Sequence, residues 1–491
     1  MYDTEKDLQL KDFNSDLERS TMVGMFGRVA YNYKQKYFLS VTLRRDASSK
    51  FGENTRWGTF PSYAIAYTFS EEPYMDWARD FLDFGKIRLS YGKSGKQFEY
   101  PYFAFGVLIV NNIPFHGNQT ITPYWPNGLI NPKLSWEETK QFDAGLDLEF
   151  FGNRLSLELD YYYRYTDKLL AQVTLPGDYN AYTAQWQNAY AISNQGIELQ
   201  IKADLIRSEK LHWDFSFNIA RNWNRFEKSN NGMDFTNLAS KHNLNIIGKP
   251  LNGIYVYDEG YYNSQDEVPL YYVNGRRKYL SSLGNQIYSP GDRRIQDVDG
   301  NGQVATMVPL LEDRVYGGSP LPLAFGGIAS TLKWKGIDVN LLFSYKLGRH
   351  VLNAGRGASV GTILRANTAE MMVPILADLD KVSFWQKPGD NTDFPINELE
   401  NGKNNFATNL KSNVEKINYL KLKSISIGYI LPVFPKQSKH YARVFMSVEN
   451  VFTITNSSSP DPESIDIVTG VDSNNNYPLA TRFTLGLTLN L

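Results

Sequence analysis

The residues best suited to chemistry lie in one short run. Asp297-Val-Asp299-Gly-Asn301-Gly302 places oxygen donors at positions 1, 3 and 5 and glycine at position 6. That is the spacing of the first half of an EF-hand loop, whose donors converge on calcium. Position 12, where a bidentate Glu belongs, is Val308, and Glu312 and Asp313 lie beyond it. Two readings stay open. Asp297, Asp299 and Asn301 form a calcium loop, or they form an Asx/Gly-rich turn satisfied by its own backbone. Turns are the commoner use of such residues. Calcium is the one cofactor the sequence suggests.

Catalytic sets are missing. The five histidines (His116, His212, His242, His350, His440) form neither His-x-His nor His-Glu-x-x-His, and there is no Cys. A cysteine nucleophile and a thiolate zinc site are therefore excluded. No Gly-x-x-x-x-Gly-Lys-Ser/Thr phosphate loop occurs, and Gly355-Arg-Gly357 completes no dinucleotide fingerprint. Asp143, Asp147, Glu149, Glu158 and Asp160 could in principle supply a glycosidase pair. Their alternate positions on strand patterns fit a wet lining better. The chain is not expected to be an enzyme.

Aromatic residues concentrate between the periodic segments. Tyr124, Trp125 and Trp136 sit in or beside 94–135; Tyr255, Tyr257, Tyr261, Tyr262, Tyr271 and Tyr272 sit in 223–320. Such rings can stack on sugar faces or pack on peptides, dock a protein partner, or pack among themselves. All three roles stay open.

These residues need elements to hold them, and the chain supplies strands. Leu155, Leu157, Leu159, Tyr161, Tyr163 and Tyr165 alternate with Arg154, Ser156, Glu158, Asp160, Tyr162 and Arg164. Phe483, Leu485, Leu487, Leu489 and Leu491 alternate with Thr484, Gly486, Thr488 and Asn490. Period 2 marks a strand with two different faces. Roughly 13 to 15 segments read this way, each about 9–13 residues long. Soluble strands peak near 5–6 residues, whereas tilted transmembrane strands need about 9–11. Short links (near 32–35, 151–153, 207–210, 335–336 and 435–440) alternate with long ones at 94–135, 166–194, 223–320 and 347–416. Met371–Leu379 could form a short helix in the last of these.

Composition agrees. Aromatics make up 14% and mean hydropathy is −0.40. A helical membrane protein needs runs of about 20 apolar residues; the longest here, 102–110, is interrupted by Gly106. The 51 Lys and Arg balance 52 Asp and Glu, so no nucleic-acid partner is indicated. In hydrocarbon a sheet must close on itself to pair every backbone group. The expectation is an all-β, transmembrane antiparallel β-barrel wall, with long extracellular loops and short periplasmic turns. The alternative is a secreted or surface β-rich binding or adhesion protein without transport activity.

Several strings carry a resemblance. They include Arg28-Val-Ala-Tyr-Asn-Tyr-Lys-Gln-Lys-Tyr37, Leu43-Arg-Arg-Asp46, Ser48-Ser-Lys-Phe-Gly52 and Arg56-Trp-Gly-Thr-Phe-Pro-Ser62. Further along come Lys86-Ile-Arg-Leu-Ser-Tyr-Gly92, Asn131-Pro-Lys-Leu-Ser-Trp-Glu-Glu-Thr139, Asp160-Tyr-Tyr-Tyr-Arg-Tyr-Thr-Asp167 and Asn194-Gln-Gly-Ile-Glu-Leu199. Trp385-Gln-Lys-Pro-Gly-Asp390, Ile425-Ser-Ile-Gly-Tyr-Ile-Leu-Pro432, Val448-Glu-Asn-Val-Phe452 and Gly470-Val-Asp472 complete the series. In this order the strings resemble the SusC/RagA family of TonB-linked outer-membrane transporters of Bacteroidota-type bacteria. The resemblance implies import of oligosaccharides or peptides, a SusD-like surface lipoprotein as partner, and contact with outer-membrane lipid. The family barrel has 22 strands and is preceded by a signal peptide, a TonB box and a plug. None of these is visible in 1–491, which reads as one partial barrel domain. The resemblance therefore implies that the TonB complex is reached through a part not seen here, and that 1–491 alone performs no energised import.

Overall fold

The computed structural model describes residues 19–100, 103–104, 109–115, 118–124, 129–175, 184–230, 235–236, 243–268, 270–273, 276–279, 288–300, 313–355, 383–396, 409–432, 440–473 and 477–490. Among these, thirteen long strands follow one another across a single antiparallel sheet. They are β1 (Met22–Tyr33), β2 (Tyr37–Ser48), β3 (Trp57–Thr68), β4 (Leu82–Lys96), β5 (Glu137–Phe150), β6 (Leu155–Thr174) and β7 (Ala184–Arg207). Then come β8 (Leu211–Lys228), β9 (Ala324–Trp334), β10 (Ile337–Asn353), β11 (Val414–Leu431), β12 (Tyr441–Thr455) and β13 (Arg482–Asn490). A two-residue strand, Val471–Asp472, also joins β10 in parallel. The sheet is not closed: β1 and β13 are its edges.

Local chemistry fixes the short links. Lys335 and Gly336, both at positive φ (48° and 90°), make a two-residue hairpin between β9 and β10. Left-handed residues there match the right-handed twist of the strands. Between β5 and β6, Phe151, Gly152 and Asn153 are also left-handed. Asp83 Oδ2 anchors that turn by accepting the Gly152 and Asn153 N–H groups at 2.7 and 3.0 Å.

Register shows what the alternation achieves. One row crosses β8 to β13 as Trp213, Leu332, Val339, Ile427, Met446 and Leu485. The adjacent row on the other face reads Asp214, Thr331, Asn340, Ser426, Ser447 and Thr484. Trp213, Leu332, Ile427, Met446 and Leu485 are 36% to 78% exposed. A soluble sandwich would bury that row against a second sheet. Exposed on five of six strands, with Val339 half-buried, it is the face expected to meet lipid.

The opposite face carries ion pairs and polar ladders. Arg443 binds Asp338 through two hydrogen bonds, Nε to Oδ1 at 2.8 Å and Nη2 to Oδ2 at 2.5 Å. The guanidinium reaches over β11 at Gly428, where an added Cβ would lie 2.3 Å from Arg443 Nη2. Thr331 Oγ1 donates to Asn340 Oδ1 at 3.0 Å, and Asn340 Nδ2 to Asp338 Oδ2 at 3.1 Å.

One expected link is corrected. Residues 166–194 are not a long loop: β6 runs 20 residues to Thr174, and β7 begins at Ala184 and runs 24. The other long links hold, with 97–136, 229–323 and 354–413 separating β4/β5, β8/β9 and β10/β11. Segment 456–481, between β12 and β13, is a further one. Residues 371–379 lie outside the described residues.

By contacts the chain forms two compact units, Met1–Tyr67 with Arg88–Asp143 and Arg164–Ile192, and Thr68–Ile87 with Ala144–Tyr163 and Ser193–Leu491.

Candidate functional site

In the first unit, a knot of rings ties the long link after β4 to the link 49–56 after β2. Phe51, Phe60, Phe98, Leu134 and Trp136 are buried together, with Phe103, Leu170 and Trp186 packed on them. Ring centroids lie 5.1 Å apart for Phe51–Trp136 and 4.9 Å for Phe98–Trp186. Trp136 Nε1 donates to the Arg56 carbonyl at 2.8 Å, so its polar edge is satisfied inside the knot. Thr55 Oγ1 donates to the Leu134 carbonyl at 2.6 Å. A Cβ at Gly52 would sit 1.8 Å from the Pro132 carbonyl oxygen, so only glycine allows this approach. The strings Ser48–Gly52 and Asn131–Thr139 thus meet and lock one another. Asn188 closes the knot, accepting Ser135 N–H at 2.9 Å and donating to the Ser135 and Lys168 carbonyls at 2.8 Å each.

In the second unit, the link between β8 and β9 folds on itself. Strand Gly253–Tyr257 pairs with Asn243–Ile246 and Arg314–Gly318, and Glu259–Tyr261 pairs with Arg293–Ile295. Tyr255 and Tyr257 are buried in it. Tyr255 lies 5.5 Å from Tyr316, and the Arg314 guanidinium sits over the Tyr257 ring. Tyr261, half-buried, donates its hydroxyl to the Thr392 carbonyl at 2.8 Å under the Arg293 guanidinium. Tyr262 is fully buried against Val268 and Tyr288. Burial pushes the Tyr255 and Tyr262 hydroxyls up to about 12, with Tyr316 and Tyr288 adding to it. Trp136, Tyr255, Tyr257 and Tyr262 therefore pack within the loops in this structure. The Tyr124 side chain and all of Trp125 lie outside what is described.

The acidic run sits at the foot of this folded link. Asp297 Oδ1 accepts Gly300 N–H at 2.7 Å, a local bond to the backbone three residues on. Asp313 Oδ1 accepts Val298 N–H at 3.0 Å. One carboxylate oxygen each from Asp297, Asp299 and Asp313 lies within 4.8 Å of the others. Asn301 lies outside the described residues. The structure brings in Asp313, which spacing alone did not assign.

Sequence reasoning missed two further groupings. His212 Nε2 lies 3.0 Å from Asp214 Oδ1 with Asp204 close by, because positions two apart on β8 share a face. From β11, Lys421 Nζ meets Asp461 at 2.9 Å and Glu463 at 3.1 Å, and Lys423 meets Glu463 at 2.8 Å. Arg349, 1% exposed, donates to the Pro320 carbonyl at 2.9 Å and to that of Asp466. Burial would raise the Asp461 and Glu463 carboxyls, but the lysine ammonium groups outweigh it and hold both below their usual range. Backbone N–H groups, Thr469 first, do the same for Asp466. These contacts clamp segment 456–470 onto the sheet. A cavity of about 410 Å³ opens nearby, lined by Trp223, Tyr316, Leu323 and His350 among others.

Two-faced strands and folded long links are accompanied by matches to known proteins. The family model described as TonB dependent receptor-like, beta-barrel, matches residues 2–355. The chain belongs to the TonB-dependent receptor β-barrel family. Members are outer-membrane receptors and transporters rather than enzymes, so this chain is an outer-membrane protein. It is 30% identical to TonB-dependent receptor P3 of Formosa agariphila over 504 residues, covering 97% of this chain and 46% of that one. It is 28% identical to TonB-dependent receptor SusC of Bacteroides thetaiotaomicron over 503 residues, covering 98% and 45%. Its fold matches the RagAB peptide transporter with a TM-score of 0.72 at 22% identity, covering 99% of this chain and 50% of that one. The chain thus spans about half the length of the relatives it matches. The similarity to SusC is in line with the resemblance that its ordered strings carry.

Proposed function

We propose that this chain supplies barrel wall, lumen lining and extracellular loops to a TonB-dependent importer of oligosaccharides or peptides. The observation that carries the reading is the two-faced sheet: an apolar row, exposed on five of six consecutive strands, beside a polar row. A wall of that kind separates lipid from a wet passage. The long links 97–136, 229–323, 354–413 and 456–481 would face the incoming substrate and seat a SusD-like lipoprotein. Support for the substrate class comes from relatives named as SusC and as a peptide transporter.

Deletion of the gene in its source bacterium tests the reading, with oligosaccharides, peptides or their monomers as sole carbon source. Growth should fail on one polymeric class, survive on its monomers, and fail equally in a TonB-deficient strain. A surface lipoprotein should copurify from detergent extracts. Unchanged growth and uptake on both polymeric classes would contradict it.

A further inference from the structure

We propose that Asp297, Asp299 and Asp313 bind one divalent cation, with calcium preferred. Two separate observations point to it. The first is convergence: an oxygen from each carboxylate lies within 4.8 Å of the others. Oxygens sharing one calcium at 2.3–2.6 Å can be at most about 5 Å apart, so all three fit a single ion. The second is Asp313 itself. It has no exposed surface, and its Oδ2 is buried without a hydrogen-bond partner. Its Oδ1 is occupied by Val298 N–H. A buried carboxylate with a bare oxygen is stable only when paired or bound to metal. Two further carboxylates within reach make an unfilled site costlier still, since like charges repel.

The local turn held by Asp297 does not compete with this reading. A carboxylate offers two oxygens and about four lone-pair sites, so a backbone bond to Oδ1 and a metal bond are compatible. Nor does the turn account for Asp313. The donor set is all oxygen, which suits calcium or magnesium rather than zinc, whose sites favour nitrogen and sulfur. Magnesium demands near-ideal octahedral geometry and sheds water reluctantly. Calcium takes six to eight oxygens in flexible arrangements, so three carboxylates with backbone and water suffice. An ion here would join the residues following Arg293–Ile295 to the start of Arg314–Gly318. It would tie together the two inner strand pairs of the β8/β9 link.

The test uses the full 491-residue chain in detergent, stripped with EDTA. Calcium and magnesium chloride are titrated separately by calorimetry. Calcium should saturate one site per chain with a dissociation constant of about 10⁻⁵–10⁻³ M. Magnesium should bind more weakly. Asp313→Asn and Asp297→Asn should each weaken calcium by about tenfold or more. Asp76→Asn removes an exposed carboxylate paired with Arg79 elsewhere, and should change nothing. Thermal unfolding gives a second readout, with a sign that a merely structural aspartate would not show. Without calcium, Asp313→Asn should raise the midpoint, because one of three crowded carboxylates is gone. With calcium it should lie below the parent. Should Asp313→Asn fail to fold, Asp297→Asn and Asp299→Asn decide alone, since neither side chain is fully buried. Absence of saturable calcium uptake by the parent below about 10 mM, some tenfold above the top of the extracellular range, overturns the proposal. Equal calcium affinity in the parent and the Asp297 and Asp299 variants does so too.

Discussion

Ile427→Arg is the substitution on which the lipid-facing assignment rests most heavily. Ile427 lies on β11 in the apolar row, 43% exposed, between Val339 and Met446. The strand ends at Leu431. Four residues at about 3.3 Å each, tilted about 40°, place Ile427 roughly 10 Å from that end along the membrane normal. The apolar band of an outer-membrane barrel is about 25 Å tall, so Ile427 stands near its middle. An arginine at the midplane costs about 2–4 kcal/mol. That is roughly a 30- to 1000-fold loss in the folded-to-unfolded ratio. The same change in water, at an exposed position, stays within about 0.5 kcal/mol. Ser426→Arg is the internal control, because its side chain joins the polar row beside Asn340 and Ser447. The assay is urea unfolding in lipid vesicles, followed by tryptophan fluorescence. A large cost for Ile427→Arg and a small one for Ser426→Arg is expected. Equal costs, or a cost below about 0.5 kcal/mol for Ile427→Arg, refute the assignment.

Three other outcomes follow from the geometry. Trp136→Ala empties the centre of the aromatic knot and should cost about 3–5 kcal/mol locally, read as faster protease nicking in 49–56 and 97–136 while strand content by circular dichroism is kept. Gly428→Val should drive the Arg443 guanidinium off Asp338, so that adding Arg443→Met to it costs little more than Gly428→Val alone, as a double-mutant cycle would show. The carboxyls of Asp461, Glu463 and Asp466 are depressed when folded, so their stabilisation is full above the unfolded values near 4 and is lost as pH falls through the folded ones. The protection of amides across 459–470, taken relative to the intrinsic exchange rate at each pH, should therefore be unchanged from pH 7 to pH 5 and should fall below about pH 4.

The wall was legible because two solvents impose period 2. Trp213, Phe215 and Phe217 against His212, Asp214 and Ser216 can be read without coordinates, and the register then joins such rows across strands. The signal fades where both faces of a strand are wet. The ends of β6 and β7 include Thr166, Asp167, Lys168, Gln185, Gln187 and Asn188, so they read as loop although they pair as strands. Loop cores were harder for the opposite reason. Gly253–Tyr257 is buried on every residue and so carries no alternation to read. Trp136 shows the same limit, since its type announces a ring but not that Phe51 and Phe60 enclose it. At the acidic run, local spacing found Asp297 and Asp299, whereas Asp313 arrives through pairing of strands on either side. The Lys421–Asp461 clamp joins residues 40 apart and has no local pattern.

Because the chain has no cysteine, every introduced thiol reports alone. Single cysteines at Ile425, Ile427, Val444 and Met446, and at Ser424, Ser426, Ser447 and Glu449, sample the two faces of β11 and β12. Labelling in native outer membranes with a water-soluble and a lipid-soluble maleimide tests the two-faced wall directly. The account predicts that the first four react only with the lipid-soluble reagent and the second four with the water-soluble one. Equal reaction of both sets with the water-soluble reagent would contradict it.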